Sequence, residues 1–121
     1  MSRRILVVDD HADNRRILRD LLGSVGFEIL EAKTGEEAVT RAEAEVPDLI
    51  LMDIQLPGID GYEATRRIKA NEALRRIPLL VVTSYALSGD DAKALAAGAD
   101  DYVSKPFSPR AMLAKVREYL K

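Results

Sequence analysis

Apolar residues fall in short runs, separated by longer stretches where they recur at helical spacing. Ile5-Leu6-Val7-Val8, Leu49-Ile50-Leu51-Met52 and Leu79-Leu80-Val81-Val82 are continuous runs. Such runs suit strands covered on both faces of a parallel sheet. Phe27-Glu28-Ile29-Leu30-Glu31-Ala32 is mixed and Tyr102-Val103 is very short, so both are predicted as edge strands. Residues 13–25 set Ile17, Leu18, Leu21, Leu22 and Val25 on one helical stripe, with Arg15, Arg16, Arg19 and Asp20 mostly away from it. Thr34 to Glu37 has the spacing of a capping box, and Asp60 to Glu63 repeats that logic. Ser88-Gly89-Asp90-Asp91 predicts the start of a fourth helix. Ser108-Pro109 starts a fifth, whose stripe is Met112, Leu113, Val116 and Leu120. Gly26 and Gly98 follow helices and suit left-handed C-caps.

Five strand-then-helix units imply a doubly wound α/β sandwich with a five-stranded parallel sheet and five helices. Right-handed crossovers and the central apolar strands favour the order 2-1-3-4-5. No linker, repeat or low-complexity tract interrupts the chain, so residues 1–121 are expected to form one domain. Ligands of such sheets bind at the carboxyl ends of the strands, at the switch point between strands 1 and 3.

Composition narrows the chemistry. Apolar residues are 47% of 121, enough for a core without metal or disulfide staples. Eighteen basic against 20 acidic residues give a net charge of −2, which argues against a generally basic nucleic-acid binder. Cys is absent, excluding disulfides, thiolate catalysis and cysteine-ligated metals. With His11 the only histidine, a multi-histidine metal site is excluded too. No apolar run approaches the roughly 20 residues of a membrane span, and Ile5 to Val8 is too short for a signal-peptide core. A cytoplasmic protein without membrane insertion is expected.

Asp9 and Asp10 follow strand 1 and Asp53 follows strand 3, so three carboxylates should converge at the switch point. Two unit charges about 4 Å apart repel by roughly 4 kcal/mol at an effective dielectric of 20. Such a cluster needs raised pKa values or a bound cation. Oxygen ligation fits a hard ion, Mg²⁺ first and Mn²⁺ as the alternative. Thr83 and Ser84 at the end of strand 4, and Lys105 after strand 5, should reach the same edge. A nucleophilic Asp53, a metal, a hydroxyl from Thr83 and the Lys105 ammonium are the parts of a phosphoryl-transfer site.

Asp9-Asp10, Asp53, Thr83-Ser84 and Lys105-Pro106 together resemble the receiver domain of bacterial two-component response regulators. The phrases Ile5 to Asp10, Met52-Asp53-Ile54-Gln55-Leu56-Pro57-Gly58-Ile59-Asp60-Gly61 and Gly98 to Phe107 are similar to that family, and the likeness covers essentially the whole chain. The resemblance implies a flavodoxin-like fold and a phosphoacceptor at Asp53, served by a sensor histidine kinase or a histidine phosphotransfer protein. It implies Mg²⁺ held by Asp10, Asp53 and the Gln55 carbonyl, with Asp9 acting through water. Lys105 and the Thr83 and Ser84 hydroxyls would bind phosphate, and the Lys105-Pro106 peptide would be cis. Thr83 and Tyr102 would form a switch pair altering helix 4, strand 5 and helix 5 for a downstream protein target or a second copy of the chain. Gln55 and Tyr85 would flank the path of the hydrolytic water, and a bulky Tyr85 would prolong the phosphoform. Helix 1 would dock the kinase, with Asn14, Arg15 and Leu18 as candidates.

Helix 4 carries Ala92, Ala94, Leu95, Ala96 and Ala97, a low-relief face expected to pack a partner or a second copy. Because the sequence closes just after helix 5, a stand-alone receiver acting by protein contact, without direct nucleic-acid binding, is the expectation. His11 and the Arg15-Arg16 and Arg66-Arg67 pairs are expected to be solvated. An aspartate-nucleophile phosphatase of haloacid-dehalogenase type is the alternative enzyme reading. Those proteins carry an acidic residue two positions after the nucleophile, where this chain has Gln55. A receiver-like scaffold that takes no phosphate is the third reading.

Overall fold

The computed structural model describes residues 3–83 and 90–120. The strands are β1 (Arg4–Val8), β2 (Glu28–Ala32), β3 (Leu49–Asp53), β4 (Leu79–Thr83) and β5 (Asp101–Ser104). The helices are α1 (Ala12–Gly23), α2 (Gly35–Glu45), α3 (Gly61–Ala70), α4 (Asp90–Ala96) and α5 (Pro109–Tyr119). All strand pairs are parallel, in the order β2-β1-β3-β4-β5. The predicted order therefore holds. Among the described residues no helix is long and apolar enough to cross a membrane.

The pleat sorts side chains into two cores, because successive strand residues face opposite sides. Ile5 and Val7 of β1 join Leu49, Leu51, Leu80 and Val82 beneath α1 and α5. Leu6 and Val8 join Ile50, Met52, Leu79 and Val81 beneath α2, α3 and α4. The three continuous apolar runs are continuous because both layers draw on them.

Three predicted caps form. Thr34, Asp60 and Ser108 accept from the backbone N–H of Glu37, Glu63 and Ala111. Ser88 lies outside the described residues. Gly26 and Gly98 adopt the left-handed conformation, with φ of 100° and 105°.

The α1 stripe requires correction. The helix ends at Gly23, so Val25 lies beyond it, and Ile17 is 56% exposed. Arg15, expected in solvent, is only 8% exposed. Leu18 and Leu22 carry the contact with the sheet, and Arg15 is buried because its guanidinium finds polar partners there.

Candidate functional site

Val8 of β1 pairs with Met52 of β3, so Asp9, which follows β1, and Asp53, the last residue of β3, stand side by side at this edge. Asp9 and Asp53 are both buried there, 3% and 7% exposed. Lys105, in the loop after β5, bridges them. Its Nζ lies 3.4 Å from Asp53 Oδ2 and 3.6 Å from Asp9 Oδ2. The peptide joining Lys105 to Pro106 is cis. The Lys105 N–H donates to the Thr83 carbonyl at 2.7 Å, which ties this loop to the end of β4.

Local geometry supports Asp53 from two further sides. The Gln55 N–H donates to Asp53 Oδ1 at 3.3 Å. The first residue of α3, Gly61, presses against the Asp53 backbone, and a Cβ there would stand 2.2 Å from the Asp53 carbonyl oxygen. Glycine is needed for close approach at this position, since its backbone does not have a positive φ. A second cross-link holds the loop between β3 and α3: Glu36 of α2 accepts from the Ile59 N–H at 3.4 Å.

The electrostatics follow from burial. Desolvation pushes the Asp53 carboxyl above the ordinary carboxylate range; Lys105 opposes that shift, and the neighbouring Asp9 reinforces it. Two buried carboxylates thus share one ammonium, with Asp10 alongside. The set is oxygen-rich and short of positive charge, which fits a hard divalent cation.

Asp9, Asp10 and His11 each offer one ligand atom, all within 4.8 Å of one another. His11 Nδ1 is 3.0 Å from Asp10 Oδ1 and 3.4 Å from Asp9 Oδ1, with most of its side chain exposed. That exposure matches the expectation of a solvated residue; its position directly after the acidic pair is the sequence signal for its nearness to the carboxylates.

The remaining sequence candidates separate. Thr83 is buried at the end of β4. Tyr102 is half-buried on β5 and packs against the core under α2, α3 and α4. Ser84 and Tyr85 lie outside the described residues. The docking set needs correction at Arg15, which is buried and turned inward; Leu18 is also buried but lines the groove beside Asp53, and Asn14 is partly open. Leu18 faces the sheet, and Arg15 turns inward to hydrogen-bond Glu31 and the Asp9 carbonyl. The place of Arg15 at the surface is taken by Ile17, which sequence periodicity had assigned to the core. Asn14, Ile17, Leu18 and Phe107 line a cavity of about 500 Å³ that also reaches Asp53 and Lys105. On α4, Ala94 is buried while Leu95 is exposed; Ala97, placed on this helix by the sequence, is buried in the turn that follows it.

Comparison with known proteins gives a consistent picture. A family model of the response regulator receiver domain matches residues 5–117. The polar-differentiation response regulator DivK of Brucella ovis is 38% identical over 120 residues, covering 99% of this chain and 98% of that protein. The receiver domain of the sensor histidine kinase PA1611 from Pseudomonas aeruginosa PAO1 was solved with a magnesium ion coordinated in its active-site cleft. It superimposes with a TM-score of 0.93 at 38% identity, covering 99% of this chain and 98% of that one. A response regulator structure from Chloroflexus aurantiacus gives a TM-score of 0.94 at 32% identity, covering 99% and 98%.

Proposed function

This chain belongs to the response regulator receiver family, and from that premise we propose that it is a phosphorylation-driven switch whose phosphoacceptor is Asp53. The donor is a phosphohistidine on a sensor kinase or a phosphotransfer protein. An Asp53 carboxylate oxygen attacks phosphorus, a P–O bond forms, and the P–N bond breaks with its electron pair leaving on the imidazole nitrogen. The product is an acyl phosphate on Asp53. Family membership is that of a signalling domain, which sets the phosphatase alternative aside.

The observation that carries this reading is the single ammonium of Lys105 shared by Asp9 and Asp53 at the tips of adjacent strands. An ammonium already placed beside the nucleophile needs little rearrangement to meet the oxygens of an incoming phosphoryl group. Asp9, Asp10 and Asp53, with the Gln55 carbonyl, are the groups that would hold Mg²⁺. When bound, the ion supplies positive charge against the phosphoryl oxygens. Asp53 is largely buried, and the cavity it lines is its way of access. The Thr83 and Ser84 hydroxyls are assigned to the phosphate, and Gln55 and Tyr85 to the approach of hydrolytic water.

The kinase surface is assigned to Asn14, Ile17, Leu18 and Phe107, whose groove opens onto Asp53. A phosphohistidine donor has to cross that rim to reach the carboxylate. On the output side, Thr83 and Tyr102 are assigned to a switch that alters α4, β5 and α5, where exposed Leu95 offers a contact for a protein target or a second copy. The chain matches DivK, a response regulator, over 98% of that protein's length, and we read it as a regulator that works in the cytoplasm through protein contact.

Incubation with acetyl phosphate and Mg²⁺ tests the reading. One phosphoryl group per chain, lost on Asp53→Ala substitution, is the expected result. Multiple turnover would make it an enzyme, and no label would leave a scaffold.

A further inference from the structure

Arg15 is a charged side chain on the face of α1 that packs against the sheet, with only 10% of its side chain exposed. Burying a guanidinium is costly unless its donors are satisfied. Two of them are. Nη1 donates to the backbone carbonyl of Asp9 at 2.8 Å, in a buried contact, and Nε donates to Glu31 Oε1 at 3.1 Å. The second oxygen of Glu31 accepts from Arg19 Nη1 at 3.1 Å, so both oxygens of that carboxylate are engaged. Glu31 lies on β2 opposite Val7.

We infer that Arg15 is a positioning residue for the acidic loop: anchored by Glu31, its guanidinium fixes the Asp9 carbonyl and thereby sets how Asp9 and Asp10 present their carboxylates. The Asp9 backbone is gripped on both sides, since its N–H donates to the Ala32 carbonyl at 3.1 Å. Its carbonyl and the amide of Asp10 share one rigid peptide plane. Holding the carbonyl therefore orients the Asp10 backbone as well. The planar fork of arginine suits this task, because one side chain must serve a carboxylate and a carbonyl at once.

Charge alone predicts the opposite. A guanidinium behind a cation site repels the cation, so removing it should tighten metal binding; a positioning role requires that removal weaken it. This inference rests on the proposed Mg²⁺ site, and its test separates the two.

Mg²⁺ binding to the full chain is measured by calorimetry without any phosphodonor, beside the metal-free melting temperature. Arg15→Met keeps the apolar stem and loses both hydrogen bonds. Its Kd for Mg²⁺ should rise about tenfold, the usual scale for losing an outer-shell partner. Arg15→Lys should fall between it and the parent chain. Glu31→Gln, measured in 0.5 M salt to screen its charge, should weaken binding by about threefold. The double variant should bind no more weakly than Arg15→Met, because both act through one clamp. Unchanged or tighter binding by Arg15→Met, or losses that multiply in the double variant, overturns the inference. Should Arg15→Met not fold, an unchanged Kd for Glu31→Gln overturns it and a weakened one supports it. A parent chain that binds no Mg²⁺ sinks the functional reading and this inference together, whereas parent binding with unaffected variants sinks the inference alone.

Discussion

Lys105 places its ammonium 3.4 Å from Asp53 Oδ2 and within reach of a second buried carboxylate, so the nucleophile is ion-paired at rest. Such an ammonium occupies the same electrostatic niche as a divalent cation and also serves the reaction. Lys105→Met should separate these roles. Mg²⁺ should bind several-fold more tightly, because a competing charge is gone. Labelling by acetyl phosphate should slow by about a hundredfold, because a charge-stabilising donor is missing. Calorimetry and a labelling time course read the two effects independently.

Burial raises the Asp53 carboxyl above its ordinary range, Lys105 only partly offsetting it. The folded state then holds that proton more tightly than the unfolded chain does. Stability contributed by the protonated form is complete below the ordinary aspartate pKa of about 3.9 and is lost as pH rises through the folded value. Ionised Asp53 is thus a burden at neutral pH. Asp53→Asn should melt at a higher temperature than the parent chain in chelator at pH 7. The gap should narrow as pH falls toward 4, and a gap independent of pH would contradict the account.

Gly61 admits no side chain without moving the Asp53 backbone. Gly61→Ala should destabilise the fold by ~1–3 kcal/mol by overpacking. It should also slow labelling beyond what lost stability explains, because the displaced atoms belong to the nucleophile's own residue. Denaturant titration and labelling of the folded fraction check both parts.

A second titrating cluster lies on the far side of β5. Lys115 Nζ and Tyr119 Oη donate to Asp101 Oδ2 at 3.0 and 2.9 Å. Desolvation raises the Asp101 carboxyl, but hydrogen bonds from Lys115, the Tyr102 N–H and Tyr119 together hold it below the usual range. Desolvation, then the bond to Asp101, pushes the Tyr119 hydroxyl up to about 12. Its contribution to stability is complete below the ordinary tyrosine pKa near 10 and fades between about pH 10 and 12. Tyr119→Phe should be less stable than the parent chain at pH 9, and the difference should shrink across that alkaline window. Chemical denaturation at a series of pH values would show it.

Much of this was legible in the residues. Continuous apolar runs located β1, β3 and β4 because both cores draw on the same strands. Thr34, Asp60 and Ser108 marked helix starts because their side chains satisfy otherwise unpartnered N–H groups. Asp9, Asp53 and Lys105 could be placed together because parallel strands end on one edge. Periodicity failed on α1, where spacing cannot tell an apolar residue facing a groove from one facing the sheet. Ile17 and Arg15 exchanged places for that reason, and the partners that admit Arg15, a backbone carbonyl and Glu31, lie on other elements. Val46, a branched residue in the left-handed conformation that closes α2, carried no sequence signal, because glycine would be expected there.

The bond from the Lys105 amide to the Thr83 carbonyl has a mechanical corollary. The hydroxyl-bearing and ammonium-bearing residues hang from one short crosspiece between neighbouring strand tips. Neither can be shifted as a free lever, and a displacement of the β4 tip is handed straight to the lysine.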